Sequence, residues 1–574
     1  MIMKNREVAQ LLYKIADLLE IQGVDWKPQA YRKAAQNIEV LDNDISDLYK
    51  QGKLDEIPGV GKGIIKKIEE YLKTGKSSSY QKLKKKTPVD VETLMKLQGL
   101  GPKKIKLLYN KLKIRNITEL EKAAKEERIQ TLNGMGEKTE ADILENIERY
   151  RQSKGRLLLG YAISIANEIV FMLKKLKNVD KVEIVGSFRR GKESIGDIDI
   201  LVVSNKNDKE SLMKIMNYFS NMHSVKKVIS KGLKRTSVVL EDGLDADLRI
   251  FSKDEFGAAM LYFTGSKEHN IELRTLAITK KMKLNEYGLF KGKKLVASKT
   301  EDEIYKKLEL QFIVPELRES HGEIEVAKNS KIPKLIELND IKGDLHIHSV
   351  YSDGSNRIKE MALAAEQLGY KYIAMTDHSG RLKIANAMTT KEIKKQWKEI
   401  DKLNKTLKGI KILKGVEVNI LSNGALDIHR KLFSGFDIVL LSIHAGFKMS
   451  HRKQTTRILN AISMGYGNIL SHPTGRIIGK RPEIKFDMEQ VIEVCKERNI
   501  AMELNCYPNR LDLKDIYLKK AVDIGCKISL GTDSHSIDTL NFMDIGVKMA
   551  RRGWVTSKDV INTMTLAELK KWLK

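Results

Sequence analysis

Two aspartates in the first half of the chain have a spacing that suits divalent cations. Asp197 and Asp199 are two residues apart in a β-branched segment that predicts a strand over 199–203, so both side chains point to one face. Like charges this close repel one another unless cations lie between them. Carboxylate-bound metal ions stabilise the attacking and leaving oxygens of an in-line displacement at phosphorus. The pair therefore indicates chemistry on a phosphate.

The residues before this pair strengthen that interpretation. A predicted strand over 181–185 is followed by Gly186 and Ser187, whose backbone N–H groups and hydroxyl suit phosphate oxygens. Arg190 adds a planar guanidinium that can donate two hydrogen bonds to the same phosphate. A bare Asp-x-Asp is more often a solvated strand edge, but the glycine-serine turn, the arginine pair and the flanking strands favour nucleotidyl transfer.

The stretch GSFRRGKESIGDIDIL resembles the signature of the nucleotidyltransferase superfamily, in the form of the family X DNA polymerases. The resemblance implies that Asp197 and Asp199 bind two Mg²⁺ or Mn²⁺ ions, and that Asp247 on a neighbouring strand completes the site and accepts the primer's 3′-hydroxyl proton. One departure is Ile195, which stands where a hydroxyl often helps to bind the β-phosphate. The residues that the family assigns to the triphosphate are Gly186, Ser187, Arg190 and Gly196.

Farther along, the run Gly257–Ser266 is similar to the nucleotide-selecting subdomain of the same family. Tyr262 and Phe263 would lie against the incoming sugar, where a 2′-hydroxyl would clash, although such aromatics can also be core residues. Asn270 would contact the minor-groove edge of the new base pair, and Arg274 the template strand. Gly265 completes the predicted nucleotide site.

The C-terminal part of the chain alternates short apolar strands with helices, which predicts a parallel barrel with its chemistry at the carboxyl ends of the strands. Six of the eleven histidines fall at these ends, interleaved with carboxylates. Such a set indicates metal ligands, and all-nitrogen-and-oxygen ligation suits Zn, Mn or Fe. A lone buried histidine is usually structural, and this interpretation is given to His223, His321, His429 and His451.

The motifs DLHIHS, TDHS, GVE, SIH, SHPTGR and TDSH resemble the PHP (polymerase and histidinol phosphatase) domain. The resemblance implies up to three Mn²⁺ or Zn²⁺ ions and a 3′-5′ exonuclease, with abasic-site endonuclease or 3′-end processing activity. Arg476 is a candidate for phosphate binding near the metals. The predicted metal ligands are His346, His348, Asp353, His378, Glu417, His444, His472, Asp533 and His535.

The first 150 residues predict short helices without strands, and an apolar–G–h–G–helix pattern recurs three times within them. Such turns expose backbone N–H groups at a helix start, where a phosphate can bind. The pattern is that of the helix-hairpin-helix, which grips the DNA backbone without reading bases. The glycines concerned are Gly59, Gly61, Gly99, Gly101, Gly134 and Gly136.

The first copy, preceded by WKPQAYRKAA, is similar to the small N-terminal domain of family X polymerases. Lys27, Tyr31 and Lys33 match its 5′-phosphate pocket, and Lys67 matches the lysine nucleophile of its deoxyribose-phosphate lyase. Gly63 stands where a second phosphate-binding lysine is expected, so Lys67 as an ordinary phosphate contact remains the alternative.

The composition is consistent with a DNA partner. The chain has 574 residues and a net charge of +28, which concentrates polyanions, although an AT-rich genome could also enrich lysine. Three cysteines without C-x-x-C spacing imply no disulfide framework. Neither a signal core nor an apolar run of about 20 residues is present, so we expect a soluble cytoplasmic monomer, associated with the nucleoid through DNA.

The predicted fold is multidomain α+β and α/β, with helical helix-hairpin-helix domains, a palm with a mixed sheet and a distorted (β/α)7 barrel. The expected function is short-gap filling in base excision repair on gapped or primed double-stranded DNA with dNTPs. The alternatives are a PHP repair nuclease whose polymerase half only binds DNA, and a small-molecule phosphatase fused to a DNA anchor. The predicted boundaries are 1–85 and 86–150 for the helical domains, 151–255 for the palm, 256–320 for nucleotide selection, 321–340 for a linker and 341–574 for the PHP domain.

Overall fold

The computed structural model describes residues 3–39, 41, 44–95, 97, 100–137, 139–144, 147, 156–380 and 385–574. The chain folds into two compact units. The smaller comprises Met1–Lys154 and Gly479–Arg481, and the larger comprises Gly155–Ile478 and Pro482–Lys574. None of the described helices combines the length and the apolar character that a passage through a membrane requires.

The smaller unit is built from short helices, as expected. Its apolar residues recur at helical spacing and form two hydrophobic cores. One core contains Leu12, Ile15 and Ile38, and the other contains Leu94, Ile105 and Leu108. The labelled helices are α1 Met3–Ile21, α2 Lys27–Glu39, α3 Ile45–Lys50, α4 Lys62–Thr74, α5 Ser78–Lys86, α6 Val91–Leu94, α7 Pro102–Leu112 and α8 Ile117–Lys125.

The glycine turns start helices, as the repeated pattern predicts. Gly61 is the N-cap of α4, and Gly101 is the N-cap of α7, which begins with Pro102. Gly59 and Gly134 have φ angles of +80° and +79°, which side chains with a Cβ rarely adopt. The backbone therefore requires glycine at the first position of these two turns. Gly99, the corresponding residue of the middle turn, lies outside the described residues.

The larger unit begins with a mixed sheet, the palm sheet, in the order β2-β4-β7-β6-β5. Only β4 and β7 run parallel; the other neighbours are antiparallel. Two helices cover one face, with Ile169 and Phe219 in the shared core. The elements are β1 Leu157–Leu158, α9 Leu159–Lys174, β2 Val179–Ile184, α10 Gly186–Arg189, β3 Ser194–Ile195, β4 Asp197–Ser204, α11 Lys209–Ser220, β5 Val225–Lys231, β6 Arg235–Leu240 and β7 Asp245–Phe251.

A second subdomain, the thumb, follows the palm sheet. It contains a small antiparallel sheet and three helices around Leu273, Leu289 and Tyr305. Arg318 is completely buried in it and pairs with Glu301 at 2.6 Å. The elements are α12 Phe256–Thr264, α13 Lys267–Thr279, β8 Lys283–Asn285, β9 Gly288–Lys291, β10 Lys294–Ala297 and α14 Glu301–Lys307.

The stretch 321–340, expected to be a linker without clear periodicity, differs from that expectation. It contains the helix α15 Glu323–Lys328, and Ile324, Ala327 and Leu335 join the thumb core. Glu323 is fully buried and accepts a hydrogen bond from His269 at 2.7 Å. A six-residue helix is too short to show a 3.6-residue period, so its packing could not be seen in the sequence.

The C-terminal part forms the predicted barrel. Its seven strands follow chain order and pair in parallel. A bridge between Ile347 and Ser534 nearly closes the ring. The elements are β11 Gly343–Ile347, α16 Ile358–Gln367, β12 Tyr372–Met375, α17 Thr390–Thr406, β13 Lys411–Asn419, β14 Ile438–Ser442, α18 His451–Ser463, β15 Ile469–Leu470, α19 Met488–Glu497, β16 Ala501–Asn505, α20 Asp515–Ile524, β17 Ile528–Gly531, α21 Met543–Arg552 and α22 Leu566–Trp572.

The palm and the barrel share a hydrophobic core inside the larger unit. Leu159, Ala162 and Ile195 of the palm belong to the same buried cluster as the barrel's apolar residues. Gly160 permits the contact, because a Cβ there would lie 2.6 Å from the ring of Pro508. The two parts are therefore packed together as closely as the layers of one domain.

Candidate active sites

The palm carboxylates lie on the two parallel strands of the palm sheet. In the register of β4 and β7, Asp199 lies opposite Asp247, and Asp197 lies opposite Asp245. Paired residues on adjacent strands share a face, so the three predicted aspartates come together there with Asp245 as a fourth. Burial, followed by the charge of Asp197, raises the pKa of Asp199 to about 6. The cluster thus has the repulsion that bound cations would relieve.

Two arginines that sequence reasoning did not identify touch this cluster. Arg249 donates to Oδ1 of Asp199 at 3.1 Å and to Oδ2 of Asp247 at 2.9 Å. Arg235 donates to the same oxygen of Asp247 at 3.0 Å. The guanidinium of Arg249 lies 4.5 Å from the ring centroid of Phe263. The spacing of Asp247 and Arg249 on one strand could have revealed the first contact, whereas Arg235 comes from another strand.

The loop between β2 and β4 lies directly against these carboxylates. Gly186 has a φ angle of +66°, and a Cβ there would lie 2.7 Å from Oδ2 of Asp199. The following residues, Ser187 included, form the single turn α10. Gly196, between β3 and β4, leaves room for Arg156, whose Nη1 would lie 2.9 Å from an added Cβ. Both predicted glycines thus stand where the backbone comes close to another group.

Arg190, predicted to bind the triphosphate, is buried between the palm and the thumb. Its Nε donates to Oε1 of Glu319 at 2.8 Å, and its Nη1 donates to the carbonyl oxygen of Thr264. Gly265 is beside it, since a Cβ there would lie 3.1 Å from Nη1. The side chain of Arg190 therefore connects residues 186–191, the phosphate-side loop, to the thumb.

The predicted nucleotide-selecting residues lie on the first two thumb helices. Tyr262 and Phe263 meet edge to face at 5.0 Å, and Phe263 also packs against Phe251 of β7. Asn270 donates to the carbonyl oxygen of Tyr262 at 2.7 Å. Arg274 is exposed on α13. The aromatic pair and Asn270 come together, and Arg249 links Phe263 to the carboxylates.

The barrel brings all nine predicted metal ligands together at the carboxyl ends of its strands. Within each of four groups, the candidate ligand atoms lie within 4.8 Å of one another. The groups are His346, Glu417 and His472; His346, His348 and Asp533; His378, Glu417 and His444; and His348, Asp353, His378 and His535.

Glu417 lies at the centre of this cluster. It is 1% exposed, and its Oε1 lies 2.9 Å from Nε2 of His472 and 3.1 Å from Nε2 of His444. Its Oε2 lies 3.1 Å from Nδ1 of His378. A carboxylate between several imidazoles brings oxygen and nitrogen donors together, and this donor set would suit Zn, Mn or Fe.

The donor atoms fit divalent cations. Oε2 of Glu417 and Nδ1 of His378, both buried, form no hydrogen bond with any described residue. Nε2 of His346 and Nε2 of His348 face each other at 3.1 Å. Burial, followed by the neighbouring His535, lowers the pKa of His348 to about 3, so its ring is neutral and can ligate a metal. Converging lone pairs without hydrogen-bond partners are what a cation would satisfy.

Glu503 is a part of this site that sequence reasoning missed. The buried carboxylate accepts a hydrogen bond from Nδ1 of His346 at 2.6 Å, which leaves Nε2 of that ring as the lone-pair donor. Its other oxygen accepts from the backbone N–H of His472 at 2.6 Å and from the hydroxyl of Ser471 at 2.9 Å. Gly531 leaves room for it, because a Cβ there would lie 2.4 Å from Oε1. Glu503 therefore orients two ligands at once.

The structure places Arg476 differently from the prediction. The side chain is 4% exposed, and it donates to the carbonyl oxygens of Arg510 and Leu511 and, at 2.6 Å, to Glu193 of the palm. Arg510 is the arginine beside the cluster, with its Nε 3.4 Å from Oδ2 of Asp533. The position after the SHPTG motif suggested Arg476, but its guanidinium is already bonded to two carbonyl oxygens and to Glu193.

The four isolated histidines that were expected to be buried are not buried, although Nδ1 of His429 accepts a hydrogen bond from the backbone N–H of Lys431 at 3.3 Å. His223, His321, His429 and His451 are all exposed. The buried structural histidine is His269, which bonds Glu323 and the hydroxyl of Tyr305.

In the smaller unit, Tyr31 of the predicted phosphate pocket lies near Lys67, and Lys33 lies near the first glycine turn. Nζ of Lys67 lies 5.8 Å from the ring centroid of Tyr31 and donates to the carbonyl oxygen of Gly63 at 2.9 Å. Lys33 lies against the first glycine turn, because a Cβ on Gly59 would be 3.4 Å from its Cγ. Lys27 is exposed at the start of α2.

Comparisons with known proteins follow the same order along the chain. The matching family profiles are a helix-hairpin-helix domain (residues 3–77), a SAM-like helix-hairpin-helix tandem (51–113 and 91–149), the DNA polymerase beta palm (162–248), the DNA polymerase beta thumb (259–319) and the PHP domain (344–506). A relative from Bacillus subtilis (strain 168), named DNA polymerase/3′-5′ exonuclease PolX, is 37% identical over 579 residues and covers 100% of both chains. The chain belongs to the family X DNA polymerases that carry a PHP domain.

Shorter relatives match part of this family X polymerase. A probable phosphatase from Thermoanaerobacter sp. (strain X514) is 29% identical over 242 residues, covering 40% of this chain and 94% of its own. A probable phosphatase from Vibrio parahaemolyticus is 28% identical over 244 residues, covering 40% of this chain and 93% of its own. Polymerase and PHP domains depend on metal ions, in agreement with the ligand groups of the barrel and with the paired aspartates of the palm.

Replacing Glu503 by glutamine tests its orienting role in this family X polymerase. Glutamine keeps the size but removes the charge that holds Nδ1 of His346, so we expect Mn²⁺ affinity at the barrel to fall about 10- to 100-fold. Titration with Mn²⁺, with free ion followed by electron paramagnetic resonance, measures the change. Glu489→Gln is the matched control, since Glu489 is exposed and pairs with Lys520. Equal Mn²⁺ affinity in both variants would contradict the role.

Proposed function

We propose that this chain is a DNA-directed DNA polymerase that fills short gaps during base excision repair, and that its barrel is a separate 3′-5′ exonuclease. The observation that carries the polymerase activity is the register of β4 and β7, which sets Asp199 opposite Asp247. The name of the Bacillus subtilis relative, which includes both activities, supports the assignment.

For nucleotidyl transfer, Asp197, Asp199 and Asp247 hold Mg²⁺ or Mn²⁺. Such ions, when bound, supply positive charge to the attacking and leaving oxygens. Asp247 accepts the proton of the primer's 3′-hydroxyl. The 3′-oxygen then attacks the α-phosphate, and pyrophosphate leaves. The backbone at Gly186 lies against Asp199, and in this proposal its turn offers N–H groups to the triphosphate. The triphosphate-binding residues in this proposal are Gly186, Ser187, Arg190 and Gly196.

Selection of the nucleotide falls to the thumb residues next to the palm cluster. Tyr262 and Phe263 lie against the sugar, where a 2′-hydroxyl would clash, and Gly265 shapes the turn beside them. Asn270, fixed by the carbonyl of Tyr262, contacts the minor-groove edge of the new pair. Arg274 is exposed and available to the template strand. The contact of Phe263 with Arg249 supports a link between the sugar site and the carboxylates.

The barrel residues carry hydrolysis of the terminal phosphodiester. The nine clustered ligands hold up to three ions, Mn²⁺ or Zn²⁺, which supply an activated hydroxide and neutralise the phosphoryl oxygens. Glu503 keeps His346 in the ligating tautomer. Arg510 adds a cationic side chain beside Asp533. Abasic-site cleavage and 3′-end processing need the same phosphoesterase chemistry.

The helical unit binds the DNA backbone. Its glycine turns start helices at Gly61 and Gly101, which supports phosphate binding at exposed N–H groups. The proposed phosphate contacts also include Gly59, Gly99, Gly134 and Gly136. Lys27, Tyr31 and Lys33 hold the 5′-phosphate of a gap. We propose a monomer that works in the cytoplasm on gapped or primed double-stranded DNA with dNTPs.

One observation favours a second candidate, a repair nuclease whose polymerase half only binds DNA. Arg249 and Arg235 bond the carboxylates that nucleotidyl transfer needs. If these arginines keep cations out, the palm is inactive and only the barrel works.

Two single substitutions separate the activities. Asp197→Ala removes a carboxylate from the palm, so primer extension should fall to background while 3′-5′ degradation continues. His346→Ala removes a ligand from the barrel and should have the opposite effect. Both activities are measured on one gapped duplex with dNTPs and Mn²⁺. Degradation by the wild type without any incorporation would favour the nuclease candidate, and loss of both activities in each variant would contradict separate sites.

Lys67→Ala tests the lyase. A Schiff base with a 5′-deoxyribose phosphate requires this amine, which lies beside Tyr31, so we expect borohydride trapping to fall to background. Lys66→Ala, at the exposed neighbouring position, is the control and should trap normally. Unchanged trapping in Lys67→Ala would leave Lys67 as a phosphate contact only.

A further inference from the structure

The last residue of the barrel helix α21 reaches into the palm. Arg552 is buried, and its Nη1 donates to the carbonyl oxygen of Arg190 at 2.8 Å and to Oε1 of Glu319 at 2.9 Å. Its Nε and Nη2 both bond Oδ2 of Asp515, at the start of α20, at 3.0 and 2.5 Å. One guanidinium from the barrel therefore joins the palm, the thumb and a second barrel helix.

Glu319 is the partner that connects Arg552 to the side chain of Arg190. The same Oε1 accepts from Nε of Arg190 at 2.8 Å, and Oε2 lies 3.3 Å from Nζ of Lys192. Burial alone would raise the pKa of Glu319, but Arg552 and then Arg190 lower it to about 2. The carboxylate is thus ionised near pH 7 and holds three cations from the palm and the barrel.

The backbone of the phosphate-side loop also rests on α21. Gly191 has a φ angle of +66°, and a Cβ there would lie 3.4 Å from Cβ of Lys548 and 3.8 Å from Cδ of Arg552. At the other end of the loop, Gly186 lies against Asp199. The loop is therefore held between the palm carboxylates and a barrel helix.

We propose that Arg552 is a positioning residue for nucleotide binding, and that it acts by holding the 186–191 loop through the carbonyl of Arg190 and the carboxylate of Glu319. This inference rests on the proposed polymerase function, since the loop is the triphosphate site in that proposal. It makes the barrel a structural part of the polymerase site, independent of the barrel's own chemistry.

Arg551 provides a matched control on the same helix. Its Nε donates to Glu316 of the thumb at 2.6 Å, and its Nη1 donates to the carbonyl oxygen of Ile336 at 3.0 Å. Arg551→Gln and Arg552→Gln each remove one arginine that links the barrel to the thumb. Only Arg552→Gln removes the bonds to the carbonyl oxygen of Arg190 and to Glu319, so only this variant should loosen the 186–191 loop.

Steady-state primer extension and exonuclease assays on the full chain compare these variants. For Arg552→Gln we expect the KM for dNTP to rise about tenfold or more, because charge-assisted bonds that fix a binding loop are lost, with a smaller change in kcat. Exonuclease activity should stay at the wild-type level. Arg551→Gln should keep the wild-type KM. Glu319→Gln should also raise KM, and the double variant Arg552→Gln/Glu319→Gln should raise it by less than the product of the single effects.

Hydrogen–deuterium exchange separates this inference from the proposed function. Amides of residues 186–191 should exchange faster in Arg552→Gln than in wild type and in Arg551→Gln, whether or not the wild type extends primers. Wild type without extension would overturn the proposed function. An unchanged KM and unchanged exchange in Arg552→Gln would overturn the inference, as would equal KM changes in both arginine variants or a parallel loss of extension and exonuclease activity.

Discussion

The structure depends on holding carboxylates and imidazole rings close together in buried places, although each of these groups alone would be more stable in water. In the palm, the parallel register of two strands places four carboxylates on one face, and burial raises the pKa of Asp199 to about 6. In the barrel, parallel strands end at the same edge, and nine ligand residues converge around Glu417. Both arrangements are unfavourable without positive charge. Each is therefore surrounded either by cationic side chains or by groups that orient the ligands of a cation.

The two sites compensate for this cost in different ways. In the palm, the long cationic side chains of Arg249 and Arg235 donate hydrogen bonds directly to the carboxylates. The barrel uses fixed orientation, since Glu503 holds the ring of His346 and the backbone of His472. A side chain can move aside when a substrate brings its own cations, whereas a ring held by a buried carboxylate keeps a site formed in advance.

The sequence predicts most of the fold and many of the site residues, whereas several long-range contacts could not be predicted for physical reasons. Asp197, Asp199 and the six strand-end histidines stand in short local motifs, so their types and spacing alone indicated metal ligands. Asp247 and the full set of nine barrel ligands came from the family resemblance, and the structure places each set together. Glu503 and Arg552 bond residues more than 150 positions away, and no local pattern contains such a pairing. The helix α15 is too short to show a period, and Arg476 was misplaced because proximity in sequence was taken for proximity to the ligands.

The central claim is that one compact unit carries two separate cation centres, one for joining nucleotides and one for cutting phosphodiesters. Crystals grown with Mn²⁺, gapped DNA and an unreactive nucleotide, with diffraction recorded at the manganese absorption edge, test it most directly. Anomalous density both between Asp197, Asp199 and Asp247 and around Glu417 is the predicted result. Density at the barrel alone, with Arg249 still bonded to Asp199 beside a bound nucleotide, would contradict the account.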